Sequence, residues 1–105
     1  MYYDLKDVDE VELAPGFYGK IIHSKTMSVA HVRVEAGAEL PEHKHINEQI
    51  MNLIEGEFLF TVDGKEYRMK AGESFVISSN IPHSAKAVTA CKIVDLFYPV
   101  REDWK

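Results

Sequence analysis

The stretch His43-Lys44-His45-Ile46-Asn47-Glu48-Gln49 carries two imidazoles one residue apart and an amide four residues after the second. On a strand His43 and His45 point to the same face, with their Cα atoms roughly 7 Å apart, within reach of one ion. Gln49 shares their parity, yet on one straight strand it would lie about 13 Å beyond His45. A shared site therefore requires the chain to turn at Ile46-Asn47-Glu48 and return, a turn that Asn47 tolerates. His83, in Ser78-Ser79-Asn80-Ile81-Pro82-His83, supplies a third imidazole; Pro82 restricts the backbone before it, and Asn80 suits a left-handed turn. A lone His-x-His pair is more often a surface accident than a site. Two histidines from one loop, one from another and a fourth side chain make a mononuclear metal site with open positions.

Such a site needs strands to position it, and the sequence reads as β almost throughout. Residues 26–35 alternate for a strand's length, with Met27, Val29, His31 and Arg33 on one face and Ser28, Ala30, Val32 and Val34 on the other. Because Met27 and Val29 lie on the odd side, that side is expected to line the interior, which would make Arg33 a carboxylate-binding candidate beside His31. Residues 57–69 break at Asp63-Gly64, a two-residue hairpin turn between β-rich runs. Further strands are expected at 17–22, 49–54, 74–78, 83–88 and 92–98, separated by turn-rich segments. Short strands at regular spacing point to a sandwich or barrel. The only helical candidate is residues 4–13.

Composition limits the function classes. With 105 residues the chain has length for one domain, 1–105, and a real core. The net charge of −5 and the lack of any basic block argue against nucleic acid as a partner. No apolar run is long enough to span a membrane, and the acidic start does not resemble a signal peptide. The single cysteine, Cys91, cannot form an internal disulfide and reads as a small buried hydrophobe. The expectation is a cytoplasmic protein.

The motifs themselves resemble a known family. Residues 37–56 read G-x5-H-x-H-x3-Q-x6-G and resemble the first motif of the cupin superfamily, in which a glutamate usually stands where Gln49 does. Residues 72–83 read G-x5-S-x-N-x2-H and resemble the second, with Ser78 for the usual proline and Asn80 for the usual glycine. The resemblance implies an all-β, double-stranded β-helix (jelly-roll) barrel holding a metal, and pairing of two copies as a homodimer. A narrower resemblance, carried by HKHINEQ, EGEFLFTVDG, SSNIPH and DLFYPVREDW, is to the KdgF-type pectin-degradation cupins. These convert 4,5-unsaturated uronates, the sugar acids released by pectin and alginate lyases, to linear keto forms. By position the resemblance implies His43, His45, Gln49 and His83 as metal ligands, and Asp95, Phe97 and Arg101 as the residues of the tail segment.

Three neutral imidazoles and a neutral amide would leave a divalent ion its full charge, favouring a Lewis acid. Such ligands suit nickel, zinc, iron or manganese alike. Asp95, which shares a strand face with Ile93 and Phe97, is the acid/base candidate, and Arg101 could fork onto a substrate carboxylate. Phe97 would wall the pocket. Its alternative is plain core, and that of Arg101 is a surface pair with Glu102 or Asp103. His23 reads as surface, and Glu48, of opposite parity to Gln49, as pointing away from the ion. The competing activities are a cupin dioxygenase and a non-catalytic module that binds or senses a small molecule.

Overall fold

The computed structural model describes all 105 residues as ten strands and two short 3-10 turns. The strands are β1 (Val11–Ala14), β2 (Phe17–His23), β3 (Ser28–Val34), β4 (Glu39–His43), β5 (Glu48–Glu55), β6 (Glu57–Val62), β7 (Lys65–Lys70), β8 (Ser74–Ile77), β9 (His83–Ala87) and β10 (Cys91–Tyr98). They form a six-stranded sheet in the order β1-β2-β3-β10-β5-β8 and a four-stranded sheet in the order β4-β9-β6-β7. Every pairing is antiparallel. No helix is long and apolar enough to cross a membrane.

The β6–β7 hairpin turns at Asp63 and Gly64, both at positive φ (50° and 79°), the conformation a type I′ turn requires. Its inward residues Phe58, Phe60, Val62 and Met69 meet Met51, Leu53 and Ile77 of the other sheet in one apolar core. Burying a side chain such as Leu53, 1% exposed, contributes about 1.5–3 kcal/mol.

Strand β10 lies between β3 and β5, so its inward positions are central in the larger sheet. Cys91, Ile93 and Phe97 are buried on that face, and Asp95 stands among them, paired in register with Ala30 and Met51.

The inward face of β3 is the even one. Ser28, Ala30, Val32 and Val34 are buried, each at most 6% exposed. This corrects the expectation that Arg33 and His31 face the interior. Arg33 points outward and forks onto Glu10, with Nε 2.9 and 3.1 Å and Nη2 2.8 Å from its carboxylate oxygens. The physical reason is the charge: an inward Arg33 would lose its hydration and this partner, whereas the even face consists of small and aliphatic residues.

Residues 4–13 do not form a helix. Leu5–Asp7 makes one 3-10 turn, capped by Asp4, whose Oδ1 accepts from the Lys6 amide at 3.0 Å, and Val11–Ala14 is a strand. The Asp4 side chain takes a backbone amide that a continuing helix would use, and the turn buries nothing. Strands β1 and β4 were not expected. Both are edge strands with irregular register, and β4 contains Pro41, which a sheet tolerates at an edge or a bulge.

Candidate metal centre

Three chain segments meet at one end of the sandwich. His43 ends β4 and His83 begins β9, and the two are register partners in the smaller sheet. His45 lies two residues beyond β4, where the chain crosses toward β5 in the larger sheet. That crossing is fastened from two sides. The Asn80 amide, in the left-handed region at φ 61°, donates to the His45 carbonyl at 2.8 Å. Buried Asn47 donates its Nδ2 to the Pro99 carbonyl at 2.6 Å. Gln49 then enters β5 on its buried inward side, opposite Phe97 and Ile77. Glu48, its neighbour, is exposed on the other face.

The ring nitrogens of His43, His45 and His83 lie within 4.8 Å of one another, a grouping that could hold a metal ion. Each Nδ1 sits beside a main-chain carbonyl two residues away: Pro41 for His43 (2.9 Å), Asn47 for His45 (2.9 Å) and Ile81 for His83 (2.8 Å). A carbonyl oxygen only accepts, so each Nδ1 carries the ring hydrogen and each Nε2 keeps its lone pair. Burial pushes His83 down to about 4 and also lowers His45, so both rings are neutral near pH 7.

Gln49 joins this cluster to Asp95. Its Nε2 donates to Asp95 Oδ1 at 2.9 Å, which turns its Oε1 toward His45 Nε2 at 3.1 Å. Both atoms of that second contact are acceptors, and neither has a hydrogen to give the other. A cation between them would satisfy both. Ligand atoms at right angles around a divalent ion with bonds of about 2.1 Å stand roughly 3 Å apart. The three imidazoles could thus hold a divalent cation, and the Gln49 oxygen stands from His45 Nε2 at the distance two ligands of one ion keep.

Beside the histidines is a cavity of about 300 Å³, lined by Asp95, Phe97, Arg101, Asp103 and Trp104 as well as by the imidazoles. Burial pushes the Asp95 carboxyl up to about 7, against the opposing pull of the Gln49 amide and the Arg101 charge. Arg101 is 9% exposed. Its guanidinium carbon lies 3.7 Å from the Trp104 ring centre and 4.8 Å from that of Phe97. Its Nε and Nη2 donate to the two carboxylate oxygens of Asp103, at 3.0 and 2.8 Å. The Arg101 amide donates to buried Ser28 Oγ at 2.9 Å, and that hydroxyl lies 2.7 Å from His23 Nδ1. His23 is thus not plain surface: it supports the base of the tail.

Of the sequence candidates, His43, His45, Gln49, His83, Asp95, Phe97 and Arg101 come together around one cavity, and Arg33 does not. Asp103 and Trp104 line it as well, and Asn47 and Ser28 fasten the segments around it; none of the four was assigned to the site from the sequence. Asn47 carried a sequence signal as a turn residue, which did not disclose its hold on Pro99, and Asp103 as one of two possible partners of Arg101, which did not place it at the cavity.

A family model described as a cupin domain matches residues 30–97. Over 99 residues the chain is 30% identical to the HTH-type transcriptional regulator PuuR of Escherichia coli (strain K12), covering 87% of this chain and 54% of PuuR. The chain thus spans about half the length of these curated relatives. An RmlC-like cupin from Shewanella frigidimarina NCIMB 400 has the same fold, with TM-score 0.93 and 26% identity over 99% of this chain and 95% of that one. KdgF from Halomonas sp. superposes with TM-score 0.92 at 27% identity, covering 100% of this chain and 98% of its own.

Proposed function

Because the chain belongs to the cupin family and lies close to its KdgF-type members, we propose that it promotes ring opening and ketonisation of 4,5-unsaturated uronates. A divalent cation held by His43, His45, Gln49 and His83 would supply Lewis-acid polarisation of substrate oxygen atoms. The observation that carries the reading is the Gln49 bridge, which ties the three-histidine cluster to a carboxyl group inside the same cavity.

The chain's own residues then divide the work. Asp95 stands on the cavity wall with one oxygen held by Gln49 and the other free to face a ligand. Ketonisation removes a proton from an enol oxygen and delivers one to carbon; a single carboxyl that accepts the first and returns it leaves the balance unchanged. Arg101, held against the rings of Trp104 and Phe97, gives a carboxylate a fixed planar fork. The same two rings form an apolar wall that keeps water from the reacting carbon. A cavity of about 300 Å³ is at the small end for ligand sites and suits one sugar ring.

The outer face of the larger sheet supports the homodimer. Register places Ile22, Val29, Leu96, Ile50 and Val76 in one row across five strands. Ile50 and Val76 are exposed, and so is Ile54 farther along β5. A second copy laid on this row would remove it from water.

A second reading, a ligand-sensing module, is favoured by the match to a transcriptional regulator. The chain itself has no α-helix to enter a DNA groove, so that role would need a partner or a further segment. One experiment separates the two. Metal-supplemented protein is mixed with a 4,5-unsaturated uronate, and the ultraviolet absorbance of the double bond is followed. Acceleration that disappears in Asp95→Asn supports the enzyme. Saturable binding with no acceleration refutes it and leaves the sensor.

A further inference from the structure

We propose that Asp103 is a built-in competitor for the substrate's carboxylate: it occupies the bidentate seat on Arg101 until an anionic ligand displaces it. This rests on the reading of Arg101 as the carboxylate seat. The geometry is that of a carboxylate ligand already bound. Both oxygens of Asp103 meet Nε and Nη2 of one guanidinium, at 3.0 and 2.8 Å. Such a fork is the pairing an incoming uronate would make.

The two partners are held very differently. The Arg101 side chain is 10% exposed and pinned by Trp104 and Phe97, while that of Asp103 is 62% exposed. Arg101 therefore stays in place when the pair opens, and Asp103 can turn into water with little loss of hydration. Its carrier, the one-turn segment Glu102–Trp104, buries no residue. Asp103 also lines the cavity, so its charge and that of an arriving carboxylate meet at the same mouth. Seating the ligand exchanges one carboxylate for another on a fixed cation. The exchange sets a threshold that favours ligands bringing further contacts, in the cavity and at the histidines, over simple anions.

The test is binding of D-galacturonate, which has the carboxylate but no double bond to react, and of its uncharged methyl ester. Titration calorimetry is run on the metal-supplemented full chain, Asp103→Ala, Asp103→Glu and Arg101→Gln. Asp103→Ala should bind the acid about two- to fivefold more tightly, the range set by the worth of an exposed ion pair. It should bind the ester unchanged. Asp103→Glu, which keeps a competing carboxylate, should show a smaller gain than Asp103→Ala. Arg101→Gln should lose the preference for acid over ester. Unchanged or weaker binding of the acid by Asp103→Ala overturns the inference, weaker binding meaning that Asp103 positions Arg101 instead. Binding of the acid too weak to measure in every protein also overturns it. If Arg101→Gln keeps the preference, the carboxylate seat itself is wrong and the inference falls with it. If the acid responds as expected while the unsaturated uronate is not turned over, the competitor stands and the proposed activity falls.

Discussion

Replacing Gln49 by glutamate should reverse the polarity of the contact that joins the histidines to Asp95. The amide N–H that Asp95 accepts at 2.9 Å becomes an oxygen, so two carboxyl groups face one another across that distance. Near pH 7 they can share one proton, but well above it both are ionised and repel, the charge-assisted hydrogen bond is lost, and the melting comparison is made there. Such a bond is worth about 1.5–3 kcal/mol. At about 4 °C per kcal/mol for a chain of this size, the metal-free protein should melt roughly 6–12 °C lower. A compensating change isolates the cause: Gln49→Glu with Asp95→Asn restores one donor and one acceptor with the roles exchanged. Thermal unfolding of the four proteins in chelator should give a coupling of at least about 1.5 kcal/mol, the double variant recovering most of the loss. Adding a divalent cation should raise the melting temperature of Gln49→Glu more than that of the unchanged protein, since a carboxylate then faces the imidazoles. A melting temperature within about 2 °C of the unchanged protein in chelator, with strictly additive singles, would refute the bridge.

Two further outcomes are expected. Ile50→Lys, an exposed position of the five-strand apolar row, should convert a dimer to a monomer in light-scattering measurements without changing the circular dichroism; a dimer that survives it places the interface elsewhere. Trp104, the only tryptophan, reports on the Arg101–Asp103 pair through its stacking on Arg101. The guanidinium holds the Asp103 carboxyl below the usual aspartate value of about 3.9. The pair's contribution is therefore complete above that value and lost as pH falls through the lower folded one. Tryptophan fluorescence should change in that acid window, and Asp103→Asn should abolish the change; a change that persists in the variant assigns it to another group.

The histidine site was legible because its spacing solves a geometric problem. Two imidazoles of equal parity and an amide too far along the chain demand a turn, and the chain turns just before Glu48. Asn80 was legible for the same reason, since its φ of 61° suits few other side chains. The inward face of β3 was not. Period-two alternation yields two faces without saying which is inside, and Met27 and Val29 drew the assignment to the odd one. Val29 is apolar because it belongs to the row crossing the outer surface, so an exposed apolar patch imitated a core. β1 and β4 escaped because edge strands with acidic residues and a proline have no alternation to detect. Asp103 escaped because adjacent acids after an arginine fix neither which one pairs nor on which side of the wall.

The same contrast explains why a neutral side chain stands at position 49. An acid there would add one negative charge at the histidines and place it against Asp95, whose carboxyl is already held near 7 by burial. The amide supplies an oxygen to one side and a hydrogen to the other, so one residue serves both groups without a second charge. Its orientation is not free to reverse: turned around, Nε2 would face His45, whose ring hydrogen is already committed to the Asn47 carbonyl, and Oε1 would face the Asp95 oxygen. The reversed amide could still donate to His45 Nε2, but with Asp95 ionised only by setting two oxygens against each other. An ionised Asp95 thereby fixes which atom of Gln49 a cation at the histidines would meet.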